Sequence, residues 1–529
     1  MQAFSSKFMN LYLRRIQKIE AKFGMNLRFL SCSFILFFLF FLYFPSLGYE
    51  AEFYAETGNN FFYHAKFTSL YESISIPEAG YFALTQRLLA FLIVQIFGIL
   101  SWAPLAFQMS ALLGYSLLVS FINLNDFRKI IPSDAVRYVT GFLLGLYPNW
   151  EMFTFINFIY FGFIFLLLVL FLDVSRKSNL IVFLYGCLGF LLVASKALML
   201  AIAPVAGILA LYHLFTKKYK NFFIAALVTL GALLQCIFSY LTLMRSSRLE
   251  SSPENKSVER LISLSYEMLV DSWMQFLIPK SFRSFINEDL RIFIILALLF
   301  LFLLLLIRRR YQLLFFSLAI SSASLLGLLL FLQFVGKESF PVPNQFLPDG
   351  LPFHRWYFIP HISAILLFIL LLSRLKHRRL QLFLFALFIS NLPTIPKFAE
   401  MSPPYDDKLK SNSQWVNTLP LLNSDSFCIP INPEPWYISQ FCAETLKPQG
   451  HKILAIKLEL PRNRKDNEPE ICFGMDVHGK KVMFKNVFVH SIYQFWTTDE
   501  PKIVQSIHFM NSEGKEIYPE TLRYYVVRH

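Results

Sequence analysis

Charge is what this chain has least of. Asp, Glu, Lys and Arg make up 16% of its 529 residues, where soluble domains carry roughly a quarter. That shortage excludes a disordered chain and argues against a water-soluble enzyme. Cysteine is scarce too, at 6, without metal-ligand spacing, which excludes a small disulfide scaffold. The chain has no Walker loop, no HExxH and no nucleotide-binding glycine motif, so neither an energised pump nor a zinc protease is expected. It also lacks an internal repeat and a matched pair of Gly/Pro-broken helices, the usual pointer to a secondary transporter.

What fills the space is apolar. Hydrophobic residues make up 55% of the chain, and Phe alone supplies 60 positions. A polytopic membrane protein is the expectation, mainly α-helical. The net charge of +14 belongs to that picture, because the basic residues collect in short loops that orient spans. No aromatic-basic platform for nucleic acid is visible. Cys32, Cys187 and Cys236 sit in apolar runs and read as core.

Residues 1–28 form a basic head with Lys7, Arg14, Arg15, Lys18, Lys22 and Arg28. The apolar run at 29–48 that follows is either an anchor or a signal peptide, and the long head favours an anchor. Further apolar stretches lie near 102–122, 138–150, 157–173, 180–195, 197–214, 221–244, 292–307, 311–333, 356–373 and 380–395. The run 88–100 is short for a span and suits an interfacial helix.

That segment sets the parity of everything after it. If it does not cross, one side receives Arg128, Lys129 and Arg137, then Arg176 and Lys177, then Lys217, Lys218 and Lys220, then Arg308, Arg309 and Arg310, then Arg374, Lys376, Arg378 and Arg379. The alternate turns are nearly bare: 149–157 has no Lys or Arg, and 334–355 has Lys337 and Arg355. The positive-inside rule therefore predicts about eleven transmembrane helices over 29–396. The N-terminus is then cytoplasmic, the loops 49–101, 245–291 and 334–355 are outside, and so is the C-terminus. The location is the cell (inner or plasma) membrane.

From about 397 the composition turns polar, after Pro393 and Pro396. Alternating stretches such as Lys452–Leu460 and Lys481–His490 predict strands, so 397–529 reads as a small β-rich extracytoplasmic domain. Cys428 and Cys442 flank a Pro-rich segment there. Outside the cytoplasm they could pair, and two buried thiols are the alternative.

The first outer loop is richest in candidate chemistry. It carries Glu50, Glu52 and Glu56 among Tyr49, Phe53, Tyr54, Phe61, Phe62 and Tyr63. A carboxylate among aromatics at a membrane surface can serve as general base; a solvated acidic face over an aromatic belt is the plainer reading. Lys196, between two apolar runs, either snorkels or faces an anionic substrate. Glu151 either caps a helix or holds an acceptor. His354 and Arg355, at the entry to a late span, either anchor the headgroup region or bind phosphate through the guanidinium fork.

The plan of residues 1–395 resembles the C superfamily of glycosyltransferases (GT-C), which take sugar from a polyprenyl-phosphate donor at the outer membrane face. Gly80-Tyr81-Phe82 leads into Arg87-Leu88-Leu89 as those enzymes lead into a juxtamembrane helix. Ala194-Ser195-Lys196-Ala197 is similar to the Thr-Lys-Gly-Pro turn of the branch that transfers mannose or aminoarabinose. A closer likeness is to uncharacterised bacterial membrane proteins with Glu-Asp-Gly after the first span and Gly-Tyr-x-x-Leu-x-x-Arg-Leu before the next. This chain has Glu56-Thr57-Gly58 and Gly80-Tyr81-Phe82-Ala83-Leu84-Thr85-Gln86-Arg87-Leu88. The resemblance implies a lipid-linked sugar donor and a glycan or lipid acceptor. Glu56 is then the first-choice base, with Glu52 and Glu50 behind it. Arg355, Lys196, His354, Arg87, Tyr81 and Glu151 are the substrate-binding candidates. No resident cofactor is read. A divalent metal stays open, although Thr57 stands where an Asp would pair with Glu56. A surface-polysaccharide polymerase or ligase is the alternative from the same chemistry. A transporter or flippase is the alternative from another class, and nearly charge-free span interiors argue against it.

Overall fold

The computed structural model describes residues 26–43, 48–49, 51–76, 81–129, 131–146, 149–245, 358–372, 427–431, 437–440, 442–445, 452–459, 470–489, 493–511, 513–517 and 521–527, with the single positions 320, 321, 323, 324, 415, 419 and 422. Among these, the helices are α1 (Leu27–Tyr43), α2 (Tyr63–Phe67), α3 (Leu70–Ser75), α4 (Leu84–Phe91), α5 (Ala103–Ser120), α6 (Asp134–Gly145), α7 (Gly162–Phe171), α8 (Asn179–Val193), α9 (Ala203–Phe215), α10 (Tyr219–Arg245) and α11 (Phe358–Leu372). Ten strands follow: β1 (Phe427–Pro430), β2 (Tyr437–Gln440), β3 (Cys442–Thr445), β4 (Ile453–Glu459), β5 (Ile471–Asp476), β6 (Lys481–Val489), β7 (Tyr493–Lys502), β8 (Val504–Met510), β9 (Glu516–Ile517) and β10 (Thr521–Val527).

Among the described residues, three helical stretches are long and apolar enough to cross a membrane: Ala103–Asn123, Ala197–Phe215 and Tyr219–Leu241. Shorter apolar helices occupy Leu27–Leu42, Leu84–Ile96, Phe158–Phe171 and Asn179–Val193. The stretches 292–307 and 380–395, and most of 311–333, lie outside the described residues.

The chain divides into two compact units. One is Met1–Leu39, Ile74–Gln86 and Ala111–Met401; the other is Phe40–Ser73, Arg87–Ser110 and Ser402–His529. In the first, α7 is apolar all round and its residues Gly162 to Leu170 are buried, as expected of a central helix. α8 and α10 pack on it and on each other. A Cβ on Gly231 would come within 2.8 Å of the Phe190 carbonyl oxygen, so glycine is what lets these two backbones approach. Their outward faces carry Leu180, Phe183, Leu184, Leu230, Leu233 and Ile237, all exposed. A surface of that kind is costly in water and suits lipid.

In the second unit, the C-terminal residues form the predicted strands. β1 pairs with β2 in a hairpin. The other eight strands make one antiparallel sheet in the order β3-β10-β4-β7-β6-β5-β8-β9, with Ile456, Leu458, Cys472, Phe484, Trp496 and Phe509 in its core. The first loop belongs to this unit as well. Trp415 packs edge-on against Phe53 and Phe62, with ring centroids 4.7 and 5.1 Å away, and its indole nitrogen donates to the Leu100 carbonyl at 2.7 Å. Gly58 faces the hairpin so closely that a Cβ would lie 2.8 Å from Ile431 Cδ1 and 3.2 Å from Ile438 Cδ1. Cys428 and Cys442 fall in β1 and β3, strands of different sheets. Their side chains lie outside the described residues, and so does the question of their pairing.

Candidate functional site

The first unit has two polar ends, and the helices fix their separation. α8 begins after Lys177 and Ser178 and finishes at Ala194. Its 15 residues carry the chain about 22 Å at helical rise. α7 runs the opposite way, from the Tyr160 end to Leu172, whose carbonyl accepts from Asn221 Nδ2 at 2.6 Å.

At the end where α8 finishes, Leu192 to Lys196 turn sharply. Lys196 has extended backbone, φ −148 and ψ 132, and its side chain is buried. Its ammonium donates to the Tyr81 hydroxyl at 2.6 Å. It also lies 4.5 Å from the Tyr81 ring centroid and 5.6 Å from that of Tyr160, within cation–π range. Ser195 and Thr85 lock the turn to the Gly-Tyr motif segment: the Thr85 amide donates to Ser195 Oγ at 2.9 Å and the two hydroxyls lie 2.7 Å apart. Gln86 Nε2 donates to the Ile156 carbonyl at 3.1 Å, and the Phe82 amide donates to Gln235 Oε1 at 3.3 Å. The motif around Tyr81, the turn before Tyr160 and the Lys196 turn are thus drawn together. Two buried acceptors here, Gln86 Oε1 and Asn157 Oδ1, have no hydrogen-bond partner among the described residues. A buried unmatched acceptor is costly, so this end has unused capacity for hydroxyl or N–H donors. Glu151 stands in the first turn of the short helix Trp150–Phe153, where Asn149 is the cap and accepts from the Glu151 amide at 2.9 Å.

At the opposite end the cations meet carboxylates. Arg28 and Arg137 both pair with Asp134, and Arg128 reaches it with Nε at 3.0 Å and Nη2 at 2.9 Å. Lys177 pairs with Asp126 at 2.7 Å, and Lys220 donates to the Lys177 carbonyl at 2.6 Å. Three of the five turns that the basic-residue pattern groups supply these residues, while 308–310 and 374–379 lie outside the described residues.

In the second unit, Glu56 is half-buried and stands just before a π-helical turn, Thr57–Phe62, without a side-chain capping bond to it. Ala55 before it sits in the left-handed region at φ 45, costly for a residue with a side chain. Such strain and π-turns gather at functional sites. Arg87 is buried; its Nη1 donates to the Asn60 carbonyl at 3.1 Å and its guanidinium lies 5.1 Å from the Phe61 centroid. It therefore fastens the π-turn. Glu52 Oε1 is sealed from solvent without a hydrogen-bond partner among the described residues, and burial pushes its carboxyl up to about 9. Burial thus favours the protonated form of Glu52. His64 is pulled down to about 4, first by burial and then by the charge of Arg87.

Of the sequence candidates, Lys196 and Tyr81 meet directly, while Arg87, from α4, donates to the turn that Glu56 precedes. Glu50, His354 and Arg355 lie outside the described residues. Sequence reasoning missed Tyr160 and Gln86, and gave Asn157, in the turn of Glu151, no role. Gln86 stood inside a quoted motif, but its side chain acquires meaning only beside residue 156. Among the described residues, no group of three or more His, Cys, Asp or Glu could hold a metal. Comparison of the chain with protein-family models, with curated proteins and with solved structures finds no match.

Proposed function

We propose that the protein is a multi-pass membrane glycosyltransferase of the GT-C kind. It moves a sugar from a polyprenyl-phosphate donor to a glycan or lipid acceptor outside the cytoplasm. The observation that carries the reading is the Lys196 cluster: a buried cation held by a phenol and two rings, flanked by buried acceptors, at the end of the helices opposite the Asp134 cluster. A lipid phosphate is the leaving group in this chemistry, and a fixed cation is best placed where its charge develops. Buried acceptors suit sugar hydroxyls. The resemblance further assigns Glu56 as the base for an acceptor hydroxyl and Arg355 as a phosphate binder.

The topology goes with it. Arg87 donates to the Asn60 carbonyl, and Gln95 Nε2 donates to the Ala65 and Lys66 carbonyls at 2.8 and 3.1 Å. Leu100 accepts from Trp415. Both ends of the run 88–100 are therefore tied to one compact unit, which favours an interfacial segment over a crossing of a core roughly 30 Å thick. The loop after the first span also shares that unit with the chain after the last. This supports an even number of crossings between them, as about eleven spans in total provide.

Two measurements test this. Cysteines placed at Asn59 and Ser411 should react with an impermeant reagent from outside, while one at Ser178 should not; outside labelling at Ser178 would overturn the parity. In proteoliposomes loaded with polyprenyl-phosphate sugars, Glu56→Gln should lower transfer by about 10² or more with donor binding kept. Unimpaired transfer removes Glu56 from the role of base.

A further inference from the structure

The outer face of the C-terminal sheet carries a second constellation, separate from everything used above. Ser506 and His508 are two apart on β8 (Val504–Met510), so both point to one face. Glu516 on β9 (Glu516–Ile517) pairs with Met510 and lies on the same face. Ser506 Oγ is 2.9 Å from His508 Nε2, and His508 Nδ1 is 2.6 Å from Glu516 Oε1. We propose that Ser506, His508 and Glu516 act as nucleophile, base and positioning carboxylate in cleaving short-chain acyl esters.

The arrangement meets the geometric tests for an activated hydroxyl, which are independent of chain order. A carboxylate can only accept, so Nδ1 carries the proton toward Glu516 and Nε2 presents its lone pair to the Ser506 hydroxyl. The imidazole plane is held by Phe473, its cross-strand partner in β5, stacked at 5.2 Å and 21°. The hairpin is held too: the Asn511 side chain accepts from the Glu513 and Lys515 amides at 3.1 and 2.9 Å, and Gly514 takes φ 76. That turn fixes the register that sets Glu516 beside His508. Lys481 lies over the Phe473 ring at 4.5 Å and adds positive charge to the face. His508 and Glu516 remain about one-third exposed, at 33% and 36%, so a substrate can reach them. The open face suits a small acyl group on a large carrier better than a long acyl chain.

In the reaction, Ser506 Oγ bonds to the ester carbonyl carbon while its proton passes to Nε2. The carbonyl electron pair moves to oxygen and returns as the carbon–alkoxide bond breaks. The leaving alkoxide takes the proton from Nε2, and the acyl group stays on Ser506. Water then attacks the acyl carbon, gives a proton to Nε2, and releases the carboxylic acid as Ser506 recovers its proton.

The test uses the full-length protein in detergent and a fluorophosphonate probe, with the adduct located by mass spectrometry. Wild type should be labelled at Ser506. Ser506→Ala should lose the adduct, and His508→Ala should slow labelling by about 10², with part of the rate restored by added imidazole. Glu516→Gln should lower kcat for p-nitrophenyl acetate about tenfold and leave KM in place. All three sites are partly exposed, and unchanged circular dichroism verifies the fold of each variant. Absence of a Ser506 adduct in folded wild type, or equal labelling of His508→Ala, overturns the proposal. Neither result bears on sugar transfer.

Discussion

The two ends of the helical unit both bury cations and use them differently. At one end Arg28, Arg128 and Arg137 converge on a carboxylate, Asp134. At the other, the described partners of Lys196 are a phenol hydroxyl and two aromatic rings. A guanidinium cluster closed on its counter-ion is an architectural joint: it ties α1, the 125–129 turn and α6 together. At the described contacts of Lys196 the ammonium meets ring quadrupoles and a phenol oxygen, partial charges smaller than a carboxylate's. Burial alone thus says little about the role of a charge; the chemistry of its partners says more.

The largest expected effect tests the joint. Asp134→Ala leaves buried guanidiniums without their carboxylate and should cost about 3–5 kcal/mol, read as a fall in detergent-stable thermal unfolding. If that variant unfolds like wild type, the two ends are not as different as their partners imply. Lys196→Met comes next. It keeps the stem and should change stability by less than about 1.5 kcal/mol. Transfer from the lipid-linked sugar should fall by about 10². A stability loss equal to that of Asp134→Ala would make Lys196 a joint as well.

Smaller effects belong to the second unit. Gly58→Ala places a methyl against Ile431, Phe53 and Ile438, and overpacking of this kind costs about 1–3 kcal/mol. The added Ile431→Val change should recover part of it. Taken per pH unit, the smallest effects are the titration slopes. Glu52 holds a proton in the folded state that the unfolded chain releases above 4.5, so its contribution is complete below 4.5 and declines as pH rises toward about 9. His64 has the opposite sign: its contribution is complete above 6.5 and declines as pH falls toward about 4. Each slope is at most about 1.4 kcal/mol per pH unit. Glu52→Gln should flatten the alkaline limb of an unfolding-versus-pH curve and leave the acid limb alone.

Much of the architecture was legible in the residues. Apolar run length marked the helices, alternation marked β4 and β6, and the spread of Lys and Arg grouped the turns that meet around Asp134. Each of these signals is local, or sums along the chain, so no knowledge of contacts is needed. Lys196 was legible as a candidate because a cation between two apolar runs calls for an explanation. The role of Glu52 was not, because its proton affinity depends on burial by residues remote in sequence.

The sequence by itself determined an apolar helical chain with sorted charge and a β-rich C-terminal part, since hydropathy and charge act residue by residue. Tertiary structure alone decided that Tyr81 meets Lys196, 115 positions away. It also decided that Arg28 meets Asp134 across 106 positions and that Trp415 meets Leu100 across 315. Those pairings follow from which surfaces fit when the chain packs, and no local pattern encodes the fit.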